Sequence, residues 1–170
     1  MDDAASWLKG INGEKAEDRS LLDVILETLS ASFRHDQDDF WQAPQHFEAI
    51  MRPLLNQLEK AKVFDVTAQI VPAITELASA AASPEHHKVM NTAIMQYMRH
   101  SNAAVRLAAV QCERAITERL NLDWLSLLPE MLPFISELQE DDDEEVERET
   151  LRWVRQIEEV TGESLEGMLQ

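Results

Sequence analysis

Glycine is scarce in this chain, with four residues among 170, and cysteine occurs once, at Cys112. A single cysteine excludes a disulfide framework and a cysteine-based zinc site. No run of eighteen apolar residues occurs, so no segment reads as membrane-spanning. The opening MDDAASWLKG is acidic and lacks the apolar centre of a secretory signal. These absences fit an intracellular, reducing compartment. Positive charge is also short, with 15 Lys and Arg against 32 Asp and Glu. No HExxH, GxxxxGK[ST], GxGxxG or GxSxG pattern is found, which leaves no visible catalytic, nucleotide or hydrolase site and points to a non-enzymatic protein.

The remaining composition favours helix. Hydrophobic residues make up 45% of the chain, mostly Leu, Ala, Ile, Val and Met, and 28% of residues are charged. At this length one domain buries roughly two-thirds of its unfolded surface. The net charge of −17 is uneven. Residues 1–63 carry 12 acids and 7 bases, 64–121 carry 5 of each, and 122–170 carry 15 acids and 3 bases. The last third would repel a phosphate backbone, so the neutral middle is the better place for any RNA contact.

Apolar residues recur at helical spacing and predict helices at about 17–34, 45–60, 64–82, 85–99, 102–120, 123–140 and 143–161. Ser83-Pro84-Glu85 reads as a cap, a first-turn proline and an acid at the positive helix end. Ser101 or Asn102 can cap the fifth helix, and Gly162 suits a left-handed C-cap. Residues 1–16 read as a flexible N-terminal segment and 162–170 as a C-terminal tail.

A repeat underlies these helices. Met51-Arg52-Pro53-Leu54-Leu55 lies over Met131-Leu132-Pro133-Phe134-Ile135 at an offset of 80, with Asn91 to Met98 halfway between. The helices that follow share a second column. Val66, Ile70, Ala73, Leu77 and Ala81 match Val105, Ala109, Cys112, Ile116 and Leu120 at offset 39, then Val146, Thr150, Trp153, Ile157 and Thr161 at offset 41. The pattern predicts an all-α, HEAT-type α-α superhelix of about seven helices: a half repeat at 17–34 and hairpins at 45–82, 85–120 and 123–161. A single hairpin cannot bury both of its apolar faces, so neighbours must stack. The half repeat suggests a piece of a longer array. Pro53 and Pro133 are expected to kink their helices.

The acidic stretch of LLPEMLPFISELQEDDDEEVERE, Leu127 to Glu149, is the candidate for cation or partner binding. A calcium loop beginning at Asp141 would need glycine where Val146 stands. Helix capping by Asp142 or Asp143, with Glu144, Glu145 and Glu147 in the first turn, fits better. Asp141, Asp142, Asp143, Glu144 and Glu145 remain as candidate partner contacts. Arg148, Arg152 and Arg155 share one helix face and form a second candidate, against pairing with neighbouring glutamates. Arg99, Arg106 and Arg114 are the candidates for RNA or partner contact in the middle repeat. Adjacent His86 and His87 point apart on a helix and do not suit one metal. Cys112, Trp41, Trp124 and Trp153 read as packing residues.

Trp124 to Leu138, the run Glu140 to Glu147, Gln156-Ile157-Glu158-Glu159 and Gly162-Glu163-Ser164-Leu165 together resemble one family. It is the very large HEAT-repeat protein associated with the U-three small nucleolar RNA, at its C-terminal end. The resemblance is strongest over 122–170, weaker over 85–121, a pattern match over 45–84, and does not reach 1–44. It implies a structural role in the nucleolus, in small-subunit processome assembly and 18S ribosomal RNA maturation. Implied partners are β-propeller and helical subunits, with pre-rRNA or snoRNA contacted indirectly. It implies no catalytic residue, cofactor, metal, membrane or small-molecule substrate. Alternatives are a HEAT adaptor for transport or a phosphatase, and a direct RNA-binding module.

Overall fold

A computed structural model describes residues 2–10, 16–36 and 38–169, and among these there are α-helices and 3-10 turns but no strand. The helices are α1 (Asp2–Gly10), α2 (Ala16–Arg34), α3 (Pro44–Leu55), α4 (Ile70–Ala80), α5 (Pro84–Tyr97), α6 (Ala103–Leu120), α7 (Leu122–Leu125), α8 (Leu128–Leu138) and α9 (Glu144–Thr161). They form two layers. In one, α2 packs on α4, α4 on α6 and α6 on α9; in the other, α1 packs on α3 and α3 on α5. Each hairpin closes through α1 with α2, α3 with α4, α5 with α6, and α8 with α9. The molecule is a helical solenoid, and its stability is close to a sum of hairpins and their interfaces.

The column shared by the second helices is a buried stripe. Val66, Ile70, Ala73, Leu77 and Ala81 on the first, and Val146, Trp153 and Ile157 on the last, are at most 3% exposed. Trp41, Trp124 and Trp153 are fully interior, so none offers a face for base stacking. Cys112 is buried, and desolvation pushes its thiol well above the usual range, which makes it inert.

Several boundaries follow from local chemistry. Ser83 accepts the His86 N–H at 3.4 Å, with Pro84 opening α5. Asn102 accepts the Ala104 N–H at 2.9 Å and caps α6. Gly162 ends α9 at φ 74, where a side chain would be disfavoured by backbone strain alone, since nothing lies within 4 Å of an added Cβ. Gly162→Ala is expected to cost about 1 kcal/mol, readable as a small fall in melting temperature.

Three expectations need correction. Residues 2–10 are not a flexible segment but helix α1, with Ala5 and Leu8 buried against α3 and the Leu8 carbonyl accepting from Gln57 Nε2 at 3.1 Å. The supposed half repeat at 17–34 therefore has a first helix of its own; residues 11–15 lie outside the described ones. Residues 64–69 are irregular rather than helical, because Asp65 takes the Thr67 N–H and hydroxyl at 2.9 and 2.7 Å and forms a turn instead. The expected helix at 45–60 passes into a 3-10 helix, Asn56–Lys62, three residues after Pro53. The C-terminal tail docks on α9, with Leu165 1% exposed and its N–H bonded to Glu158 Oε2 at 3.0 Å.

One carboxyl among the described residues is fully enclosed and faces no cation. Glu113 is 0% exposed; its Oε2 accepts from Trp124 Nε1 at 2.9 Å, and its Oε1 has no partner among the described residues. Burial pushes this carboxyl up to about 8, although the Trp124 hydrogen bond works in the opposite direction.

Candidate partner interface

The acidic run divides into acids held by hydrogen bonds or ion pairs and acids held by none among the described residues. Asp143 caps α9, accepting the Glu145 and Val146 N–H groups at 3.0 and 3.1 Å. Asp141 accepts both Arg106 Nε and Nη2 at 2.9 Å, and the Asp143 N–H at 2.9 Å. Burial alone would raise the Asp141 carboxyl, but those hydrogen bonds outweigh it and hold it below the usual carboxylate range. Arg106 Nη1 also donates to the His100 and Ser101 carbonyls at 2.9 and 3.1 Å. One guanidinium thus ties two successive inter-helix turns together.

The same logic recurs along the α2–α4–α6–α9 layer. Glu76 takes Arg119 at 3.0 Å and Arg34 at 3.6 Å, bridging three helices. Glu149, 7% exposed, takes Arg114 at 2.7 Å and Arg152 at 2.9 Å. Gln156 completes this joint by donating to the Arg114 carbonyl at 3.0 Å. In the other layer, Arg99 grips Glu137 with two bonds of 3.0 and 2.8 Å and lies 4.3 Å over the Phe134 ring. That grip holds Glu137 below the usual carboxylate range, and it raises Arg99 in turn.

The candidate residues are therefore not equivalent. Arg99, Arg106 and Arg114 each face an acid of the next repeat, and so do not form an open cationic patch. Of Arg148, Arg152 and Arg155, the second is held by Glu149, while Arg148 and Arg155 are exposed with no ion pair among the described residues. Arg155 and Arg152 line a groove of about 840 Å³ between α6 and α9, whose rim also carries Glu118, Glu158 and Glu159. Asp142, Glu144 and Glu145 are exposed and make no ion pair among the described residues. Among the described residues, no group of three His, Cys, Asp or Glu is placed to hold a metal ion. His86 instead stacks on Phe47 with centroids 4.1 Å apart, and His87 Nε2 bonds the Ala78 carbonyl at 2.8 Å. No helix among the described residues is long and apolar enough to cross a membrane.

Residues 1–41 match the BP28CT (NUC211) domain family. Over 154 residues, 90% of this chain, the sequence is 56% identical to "U3 small nucleolar RNA-associated protein 10" of Phaeosphaeria nodorum, of which it covers 9%. The chain belongs to this family. Over its whole length it is 51% identical to the protein of the same name from Chaetomium globosum, covering 10% of it. A third relative, from Neurospora crassa, is 54% identical over 153 residues, 89% of this chain and 9% of its own length. The chain spans about a tenth of these relatives. The relationship also reaches residues 1–44, where the sequence patterns alone carried no resemblance.

Sequence reasoning missed the acceptors of this ladder. A signal existed: Arg106 to Asp141 and Arg114 to Glu149 are both separated by 35 residues, slightly less than one repeat. A donor in one second helix then meets an acid one turn earlier in the next. The bond from Trp124 to Glu113, only 11 residues apart, had no such marker.

Proposed function

We propose that this chain is a non-catalytic scaffold segment of the U3 small nucleolar RNA-associated machinery of ribosome biogenesis, acting in the nucleolus. Its role is to support assembly of the small-subunit processome and maturation of 18S ribosomal RNA. The observation that carries this reading is identity of 49–56% across nearly the whole chain to relatives named as U3 small nucleolar RNA-associated proteins. The mechanism is geometric. Repeats cross-tied by arginine–carboxylate joints make a stiff surface, and a stiff surface docks partners without a large ordering cost. Partners are other processome proteins, with RNA contacted through them, because the exposed surface of the last repeat repels phosphate.

Among the candidate contacts, Asp142, Glu144 and Glu145 are the acids left for a basic partner, with Arg148 and Arg155 the free cations beside them. Tagged chain recovered from cells is expected to bring down processome proteins, and to keep them after RNase treatment. Recovery of transport or phosphatase subunits in their place would overturn the assignment. A direct shift of pre-rRNA with a steep salt dependence would favour the RNA-binding alternative. The triple change Asp142→Asn, Glu144→Gln, Glu145→Gln is expected to reduce partner recovery several-fold while lowering the melting temperature by only a few degrees, the modest helix-dipole contribution of exposed first-turn acids.

A further inference from the structure

An apolar groove at one edge of the array is separate from the arginine joints. It encloses about 430 Å³ between the α4–α5 turn and the start of α7, walled by Ala82, Pro84, His87, Leu120, Leu122 and Leu127. Leu122 is 62% exposed, the most exposed large hydrophobic residue among those described. Its position is imposed by the backbone. Helix α6 ends at Leu120 and α7 begins at Leu122, so Asn121 alone makes the corner, at φ 51 and ψ −125. That combination of positive φ and negative ψ lies outside the standard regions, and a non-glycine residue adopts it only when the surroundings enforce it. The enforcement is visible three residues on, where Trp124 is bonded to Glu113 at 2.9 Å and packed edge-on against His87 at 5.4 Å. His87 is itself fixed by the Ala78 carbonyl at 2.8 Å. The walls are therefore rigid, and a rigid apolar cleft binds without first having to order itself.

Charge selects the occupant. Asp123 is the charged group of the lining, no lysine or arginine lines it, and the whole chain carries −17. A carboxylate with no lysine or arginine in the same lining, on a protein of net negative charge, favours a cationic segment over nucleic acid or an acidic peptide. We propose that this groove docks a short basic segment of a partner protein, which packs one aliphatic or aromatic side chain against Leu122 and sets a lysine or arginine beside Asp123. The proposal rests on the scaffold reading only in taking a protein as the occupant.

The test is a titration of the isotope-labelled chain, followed by amide NMR shifts, with three synthetic hexapeptides: Ac-KKLFKK-NH2, Ac-KKSSKK-NH2 and Ac-EELFEE-NH2. The first is expected to give saturable shifts confined to residues 82–87 and 120–127, with the other two at least tenfold weaker. Leu122→Ser is expected to weaken the first peptide at least tenfold, and Asp123→Lys to reverse the preference toward the acidic peptide. An equal response to the serine peptide would mean bulk charge attraction and overturn the proposal. So would shifts centred on residues 141–147, the absence of any saturable response, or concentration-dependent broadening without peptide, which would make a second copy the occupant. Both changes are at exposed positions; if Leu122→Ser alters the melting temperature, Asp123→Lys alone carries the test. A pull-down that recovers no processome protein would sink the scaffold reading and leave this titration untouched.

Discussion

Arg106→Ala is expected to cost about 3 kcal/mol of unfolding free energy, and so to lower the melting temperature by roughly 6–12 °C for a chain of this size. The reason is the number of groups left without a partner. Arg106 makes four hydrogen bonds, two to Asp141 and one each to the His100 and Ser101 carbonyls. Its side chain is 17% exposed and that of Asp141 is 9% exposed, so water cannot fully replace the lost donor. Arg106→Lys should recover about half of the loss, because an ammonium keeps the charge but cannot reach both carboxylate oxygens and two carbonyls at once. Arg148→Ala, at an exposed position without an ion pair among the described residues, should stay within about 0.5 kcal/mol. Thermal melts of the three variants decide this. If Arg106→Ala matched Arg148→Ala, the joint between repeats would be ornamental. Hydrogen exchange adds a spatial readout. Since each hairpin contacts only its neighbours, opening should rise in α8 and α9 first, while α2 and α4 keep their protection.

Fold and site were unequally legible in the amino-acid sequence. The period of about 40 residues could be read because burial imposes it: Val66 and Val146 face the same interior from hairpins two repeats apart. Caps could be read because Ser83, Asn102 and Gly162 satisfy backbone needs that only a few residue types meet. Helix α1 was hidden because the acids of MDDAASWLKG mask a short apolar stripe, of which Ala5 and Leu8 are the buried members. The loop at 64–69 was hidden for the opposite reason: Val66 keeps the apolar column while the backbone has already left the helix. The acidic run was legible only as an excess. Its composition does not distinguish Asp141, clamped by Arg106, from Asp142, which faces solvent, because that difference depends on a helix 35 residues away. Long-range pairing of this kind carries no local periodicity, and only the stacking of repeats reveals it.

Glu113 should make the protein less stable as pH rises from 5 to 8, against the usual trend for a chain rich in carboxylates. In the unfolded chain this carboxyl releases its proton near its ordinary value of 4.5; in the folded protein burial holds the proton until about 8. Between those values the native state binds one more proton than the unfolded state, so stability falls with increasing pH by about 1.4 kcal/mol per unit and levels off above 8. Below 4.5 the contribution is fully present. Summed over the window the loss is on the order of 4 kcal/mol. Asp141 and Glu137, held below the usual range, act in the opposite direction at lower pH, where protonating them destabilises the native state. The two effects separate in a variant. Glu113→Gln keeps an oxygen for the Trp124 indole but cannot ionise, so its stability relative to the parent should rise by several kcal/mol between pH 5 and 8. Urea melts of both proteins across that window provide the measurement. Parallel pH profiles would mean that Glu113 does not stay protonated in the folded protein. The consequence reaches the edge groove, because Trp124 is fixed by this carboxyl and in turn sets the start of α7. Above about pH 8 the ionised carboxylate accepts the Trp124 N–H more strongly, so the anchor itself holds, and peptide binding beside Leu122 should persist in the folded fraction while overall stability falls.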